Sequence, residues 1–229
     1  MSTQTTDATA LAWSRIVARG ADAESYLQGQ LSQDLATIDD SGSWSLILRP
    51  DGVVIAACFV TREDDAYSLA LPRDLADEAF TRLRRFLLRL DCSLEQEDVA
   101  TGPFVTARDQ IDAGWPGPAE FAAELVPQSF GATFVAATVS FTKGCFTGQE
   151  LVGRLDARGS SVPWRLVRAH GPSESRIDEI LHSRGPAGPQ GVTTSSRDAN
   201  GLRALGLVHR TLLEPTALAE LTDVTLEAL

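Results

Sequence analysis

The sequence predicts an α+β fold, with helices packed on a largely antiparallel sheet and a smaller all-β unit behind it. Three observations carry this expectation. Residues 11–99 alternate strand-like and helix-like patterns in the order β-α-β-β-β-α-β. Residues 74–90 hold a 3.6-residue apolar period, the clearest helix signal in the chain. From Pro163 onward, short runs of β-formers are separated by turn residues and suggest a small β-barrel or sandwich.

Each element has its own cause. LAWSRIVA (11–18) reads as a strand closed by Gly20, after an expected mobile tail over 1–9. Asp22 can cap a helix running to about Leu35, with Tyr26, Leu27, Gln30, Leu31 and Leu35 along one stripe. The β-rich runs 44–49 and 53–61 flank Pro50-Asp51-Gly52, a hairpin turn in which proline fixes φ and glycine allows it to be positive. A third run, AYSLAL (66–71), follows Glu63-Asp64-Asp65. Asp74 is the expected cap of the 74–90 helix, whose Leu75, Ala79, Phe80, Leu83, Phe86, Leu87 and Leu90 share a face. Arg82, Arg84, Arg85 and Arg89 read as its solvated side. CSLEQEDV (92–99) alternates as a strand, and 101–120, with its Gly-Pro and Gly-Trp-Pro-Gly-Pro clusters, reads as loop. Strands are expected at 164–170, 191–196, 202–209 and 223–229, with no helical run comparable to 74–90 among them. A boundary near residue 160 divides an α+β domain (1–160) from a C-terminal β-barrel domain (161–229).

Composition narrows the function. A net charge of -11 argues against a nonspecific DNA binder or an anionic-membrane binder, whose targets need a basic surface. A small anion, needing only a few local cations, remains open. Cys58, Cys92 and Cys145 are odd in number and widely spaced, without a CxxC pair or a signal-peptide pattern; the expectation is a cytoplasmic protein with reduced thiols. No apolar run approaches the ~20 residues that span a bilayer. His170, His182 and His209 lack metal-ligand spacing, so no tightly bound metal is expected. Neither a GxSxG elbow nor a P-loop is present.

The residues that can carry chemistry lie in TKGCFTGQE (142–150). Of the twenty basic residues only Lys143 is a lysine, and Cys145 follows it by two positions. A nearby cation lowers a thiol's pKa from ~8.5, so the ammonium is expected to hold the thiolate. Gly144 and Gly148 allow positive φ and close approach to a ligand, while Gln149 and Glu150 add an amide and a carboxylate. The bland alternative is a turn around an inert cysteine. Cys58, within an apolar run, and Cys92, opening a strand, read as core residues.

KGCFTGQELVGR (143–154) resembles the signature of the YgfZ family of folate-binding proteins, K-G-C-Y-x-G-Q-E followed by an arginine. That family is related to the glycine-cleavage aminomethyltransferases. GADAESYLQGQLSQDL (20–35), LRPDGVV (48–54), LPRDLADEAFTRLRRFLLRLDCSLEQ (71–96), AGWPGPAEFAAELVPQ (113–128) and GVTTSSRDANGLRALGLVHR (191–210) are similar to further family segments, so the resemblance covers nearly the whole chain. It implies an aminomethyltransferase-like folate-binding fold around a channel for tetrahydrofolate or a derivative. It also implies an accessory role in assembling or maintaining iron–sulfur clusters of client proteins, a tRNA-modifying one included. Cys145 and Lys143 map onto the family's reactive pair. Gln149, Glu150 and Arg154 match the rest of the motif, and Gln28 and Gln30 match the first helix's polar face.

Three departures follow. Phe146 stands where the family has tyrosine. The chain is short between Val99 and Val105, which is expected to open one wall of the channel. The stretch Gly52-Val53-Val54-Ile55-Ala56-Ala57 lacks the carboxylate the transferases carry after the hairpin glycines. Two other functions therefore stay open: a folate-dependent one-carbon transferase using Asp51 or Glu150 as base, and a non-enzymatic scaffold without folate binding.

Overall fold

Alternation along the strands sorts apolar side chains into three layers. In the computed structural model, which describes residues 10–159, 161–198 and 201–229, the first sheet has the order β2-β3-β4-β1-β5 and is antiparallel throughout. Its strands are β1 (Trp13–Arg19), β2 (Ser43–Leu48), β3 (Val54–Glu63), β4 (Ala66–Pro72) and β5 (Ser93–Val99). The second sheet, β7-β8-β6-β9, is built from β6 (Trp164–Gly171), β7 (Gly191–Asp198), β8 (Gly201–His209) and β9 (Thr225–Ala228). No pairing joins β7 to β9 among the described residues, so the C-terminal strands form a sheet with two edges rather than the expected closed barrel. The expected tail over 1–9 lies outside the described residues.

Leu46 and Leu48 of β2 face the layer between the sheets, which also holds Leu166, Leu205 and Leu207 of the second sheet. Ile47 faces the opposite side, with Ile16 and Leu69, beneath α1 (Ala23–Gln30) and α2 (Arg73–Arg84). Val167, Ala204 and Val208 form the third layer, under α7 (Glu174–Leu181) and α8 (Pro215–Ala219). A bulge at Ile55 shifts the β2–β3 register between Ile47 and Leu48 and puts Ile55 and Ala56 on one face in succession. The hairpin turn forms as its sequence predicts, with Gly52 at φ 79° and Gly52 N–H donating to Arg49 O at 2.9 Å.

Helix ends depart from the sequence pattern. The expected 22–35 helix stops at Gln30: Leu31 is extended and bridges Ile47, and Leu35 opens a short 3-10 turn, Leu35–Thr37. Buried Ser32 holds this exit, its Oγ donating to Thr138 O and accepting from Leu46 N–H. The expected 74–90 helix begins one residue before Asp74 and ends at Arg84. Reciprocal bonds between Asp22 and Asp91, backbone N–H to O at 2.9 Å and N–H to carboxylate at 2.8 Å, pull the chain back toward α1. Phe86, Leu88 and Leu90 consequently stay exposed.

The 101–120 stretch is not loop throughout. It contains α3 (Ala107–Ala113) and α4 (Pro118–Phe121), and α3 opens on a capping box between Thr106 and Asp109. Two further helices, α5 (Ala132–Thr138) and α6 (Gln149–Ala157), precede the second sheet. The sequence reading also missed α7, although Ser173 caps it in the ordinary way by accepting from Arg176 N–H.

Candidate functional site

Lys143 is buried at the exit of α1. Its Nζ donates to the carbonyl oxygens of Gln28, Leu31 and Gln33 at 2.7, 2.8 and 2.8 Å. Helix C-termini leave carbonyls without partners, and this ammonium satisfies them from more than a hundred residues away. An ammonium directs three donors tetrahedrally, whereas a planar guanidinium fork cannot address three converging carbonyls in that way. This explains a lysine in a chain that otherwise uses arginine. Burial pushes its pKa down to about 8, against the opposing pull of the Asp34 carboxylate.

The expected Lys143–Cys145 pair is not supported by a hydrogen bond: the three Nζ hydrogens go to carbonyls, and among the described residues none joins the ammonium to the exposed sulfur. Phe146, where tyrosine was anticipated, is buried in the layer between the sheets, with the ammonium 5.4 Å from its ring centroid. A hydroxyl there would need a partner in apolar packing. Cys58 is fully enclosed, its thiol pushed up to about 12 by burial. Cys92 is half-buried, its pKa raised by burial and then by Asp22 and Asp91.

The two signature glycines differ. Gly148 has φ 83°, and a Cβ there would meet Arg49 O at 2.7 Å, so the close approach is to the hairpin turn of the same chain. Gly144 lies in open space and outside the positive-φ region, so nothing in the backbone requires glycine there. Gln149 and Glu150 start α6; Glu150 is exposed and paired with Arg154 one turn on.

Gln28 and Gln30 also turn inward. Gln28 Nε2 donates to Asp34 at 2.7 Å and its Oε1 accepts from Leu35 N–H, stitching the turn after α1. Gln30 Oε1 accepts from Arg82 Nη1 at 3.1 Å. The structure thus gathers Lys143 with the α1 exit and Gly148 with the hairpin, while Glu150 and Arg154 sit together on the exposed side of α6.

A second constellation was not legible in the motif. Trp44, Ala57, Phe104, Gln110, Trp115 and Phe121 line a cavity of about 70 Å³ beside the first sheet. Trp44 lies 4.5 Å from Trp115 and 5.8 Å from Phe104, centroid to centroid, the latter pair nearly parallel. Gln110 is 4% exposed, yet its side-chain amide makes no hydrogen bond among the described residues. An amide that lines a cavity without a protein partner can present its donor and acceptor to a ligand there. The shortened stretch packs tightly on Trp13. Trp13 Nε1 donates to Phe104 O at 2.8 Å, and the backbone at Gly102 presses so near the Trp13 indole that a Cβ would lie 2.0 Å from it. The only cue in the sequence was Trp115 within the Gly-Trp-Pro stretch. Cys145 is not among the residues lining this cavity.

No family model matches the chain. An uncharacterized protein of Haemophilus influenzae is 25% identical over 188 residues, covering 64% of this chain and 67% of that protein. Among solved structures, the glycine cleavage system aminomethyltransferase T from Bartonella henselae aligns with a TM-score of 0.62 at 15% identity, covering 89% of this chain and 80% of that one. The chain has an aminomethyltransferase-like fold with two antiparallel sheets. Among the described residues, no helix is long and apolar enough to cross a membrane, and no group of three or more His, Cys, Asp or Glu could hold a metal ion.

Proposed function

We propose that this chain binds tetrahydrofolate or a derivative, with the pterin ring in the aromatic cavity. The observation that carries the reading is the cavity lining itself, where the Gln110 amide, which makes no side-chain hydrogen bond among the described residues, shares one space with Trp44 and Trp115. An amide offers a donor and an acceptor side by side, as the amino-oxo edge of a pterin ring requires, and the indoles offer stacking faces. The fold of a folate-utilising enzyme class supports the same reading. The cavity is far below the ~300 Å³ at which small-molecule pockets commonly begin. Entry of the ring therefore requires the Phe104 side chain to swing off Trp44 while its carbonyl stays on Trp13.

The YgfZ-like signature extends the proposal to an accessory role for iron–sulfur client proteins, tRNA-modifying enzymes among them, in the cytoplasm, with exposed Cys145 as the thiol that meets the client. On this reading Lys143 is a positioning residue: it fixes the α1 exit against the turn that presents Cys145. The one-carbon transferase has less support. Asp51 is held by Arg49 at 2.7 Å with its pKa lowered first by that bond, which makes it a poor base; Glu150 is paired with Arg154; Ala57 lines the cavity without a carboxylate. Titration with tetrahydrofolate, followed by tryptophan fluorescence and calorimetry, tests the proposal. Saturable quenching with heat supports folate binding, and a silent titration in both leaves the scaffold reading.

A further inference from the structure

Residues 78, 81, 82 and 85 fall on one side of α2 and its C-cap by the helical three-and-four spacing. With Arg49, Pro50, Asp51 and Ile55 across from them, they enclose a cleft of about 440 Å³. The charges in this cleft are unevenly neutralised. Arg49 is committed, to Asp51 at 2.7 Å and to Glu124 at 2.9 Å. Arg82 is 6% exposed and meets no carboxylate: Nε donates to Leu48 O, Nη1 to Gln30 Oε1, and Nη2 has no partner. Arg85 is exposed, and its guanidinium takes no hydrogen bond, ion pair or ring contact among the described residues. Burial lowers the Arg82 pKa, Tyr26 opposes this, and the nearby Arg85 charge lowers it again. The Arg82 guanidinium lies 4.7 Å from the Phe86 ring centroid, and neither guanidinium has a carboxylate partner among the described residues.

We infer that this cleft binds a small oxyanion group, phosphate or carboxylate, bridging Arg82 and Arg85 with the Thr81 hydroxyl as a further donor. Guanidinium forks match such planar or tetrahedral oxyanions, and a partly enclosed site screens the attraction less than open water does. The Glu78 carboxylate at the rim opposes the anion, while Asp51 is already occupied by Arg49. The source is either a phosphorylated ligand or a chain of carboxylates such as a glutamyl oligomer. The inference does not depend on the aromatic cavity, in whose lining Arg82 and Arg85 take no part.

Calorimetry with inorganic phosphate and, separately, with γ-linked triglutamate at fixed chloride tests it. The expected result is one saturable site for at least one of the two, and which one binds names the source. Arg85→Ala, at an exposed position, should weaken binding at least tenfold, with Arg85→Lys partly restoring it and Arg158→Ala, just past the end of α6, leaving it unchanged. Glu78→Gln should tighten it severalfold. The inference is overturned if neither ligand binds, if Arg85→Ala binds as the parent does, or if Glu78→Gln weakens binding. Arg85→Ala should keep any fluorescence response to tetrahydrofolate, so this result and that of the folate titration are separable.

Discussion

Lys143 Nζ donates to Leu31 O across 2.8 Å, joining residues 112 positions apart at the point where α1 ends. The ammonium belongs to the signature turn and the carbonyl to the first helix, so one bond ties the segment bearing Cys145 to the sheet-facing helix. Its removal should therefore act on stability first. Lys143→Met leaves three carbonyls in a buried place and is expected to cost about 3 kcal/mol, measured by urea unfolding. Lys143→Arg should recover little of it, because the guanidinium cannot meet three converging oxygens.

The same group sets a pH dependence. Its folded pKa is about 8, below its ordinary value of 10.5, so between these pH values the unfolded chain binds the proton more tightly. Stability from this residue is lowest below pH 8 and rises as pH climbs from 8 to 10.5. The difference in unfolding free energy between parent and Lys143→Met, followed across that window, should widen in favour of the parent. A difference that narrows would show that the charged form is the one preferred on folding.

Thiol labelling should follow burial. Cys145 is exposed, Cys92 half-buried with a raised pKa, and Cys58 enclosed with its pKa at about 12. A maleimide at neutral pH should therefore modify Cys145 first, Cys92 slowly, and Cys58 only on unfolding, as mass spectrometry of timed digests can read.

Two glycines in one motif make a matched pair. Gly148→Ala meets Arg49 O at a positive φ and should destabilise by roughly 1–3 kcal/mol. Gly144→Ala enters open space and should stay within about 0.5 kcal/mol. Thermal unfolding of the two variants side by side checks this, and similar losses at both positions would overturn it.

Gln110 separates folding from binding. Replacing its amide with an apolar group of similar size, Gln110→Leu, should change stability little, since no side-chain hydrogen bond among the described residues is lost, while lowering tetrahydrofolate affinity at least tenfold. Fluorescence titration beside a thermal melt measures both. A variant that binds folate as well as the parent would remove Gln110 from the ligand site.

The sequence by itself determined the strands, the Pro50-Asp51-Gly52 turn, the core face of α2 through Leu83, and the singularity of Lys143, because these rest on periodicity, turn chemistry and composition within a few residues. It could not show that Leu31 leaves the helix, that Phe86 and Leu90 are exposed, or that the ammonium serves carbonyls rather than a thiol. Each of those was decided by a partner distant in the chain: Ile47 bridging Leu31, Asp22 holding Asp91, and the α1 exit claiming Lys143. α3 and α7 were readable from Thr106-Asp109 and Ser173, but surrounding Gly and Pro residues masked them. Local pattern sets which conformations are inexpensive, whereas the hydrogen-bonding demand of buried groups, visible only once the sheets and helices are packed, selects among them.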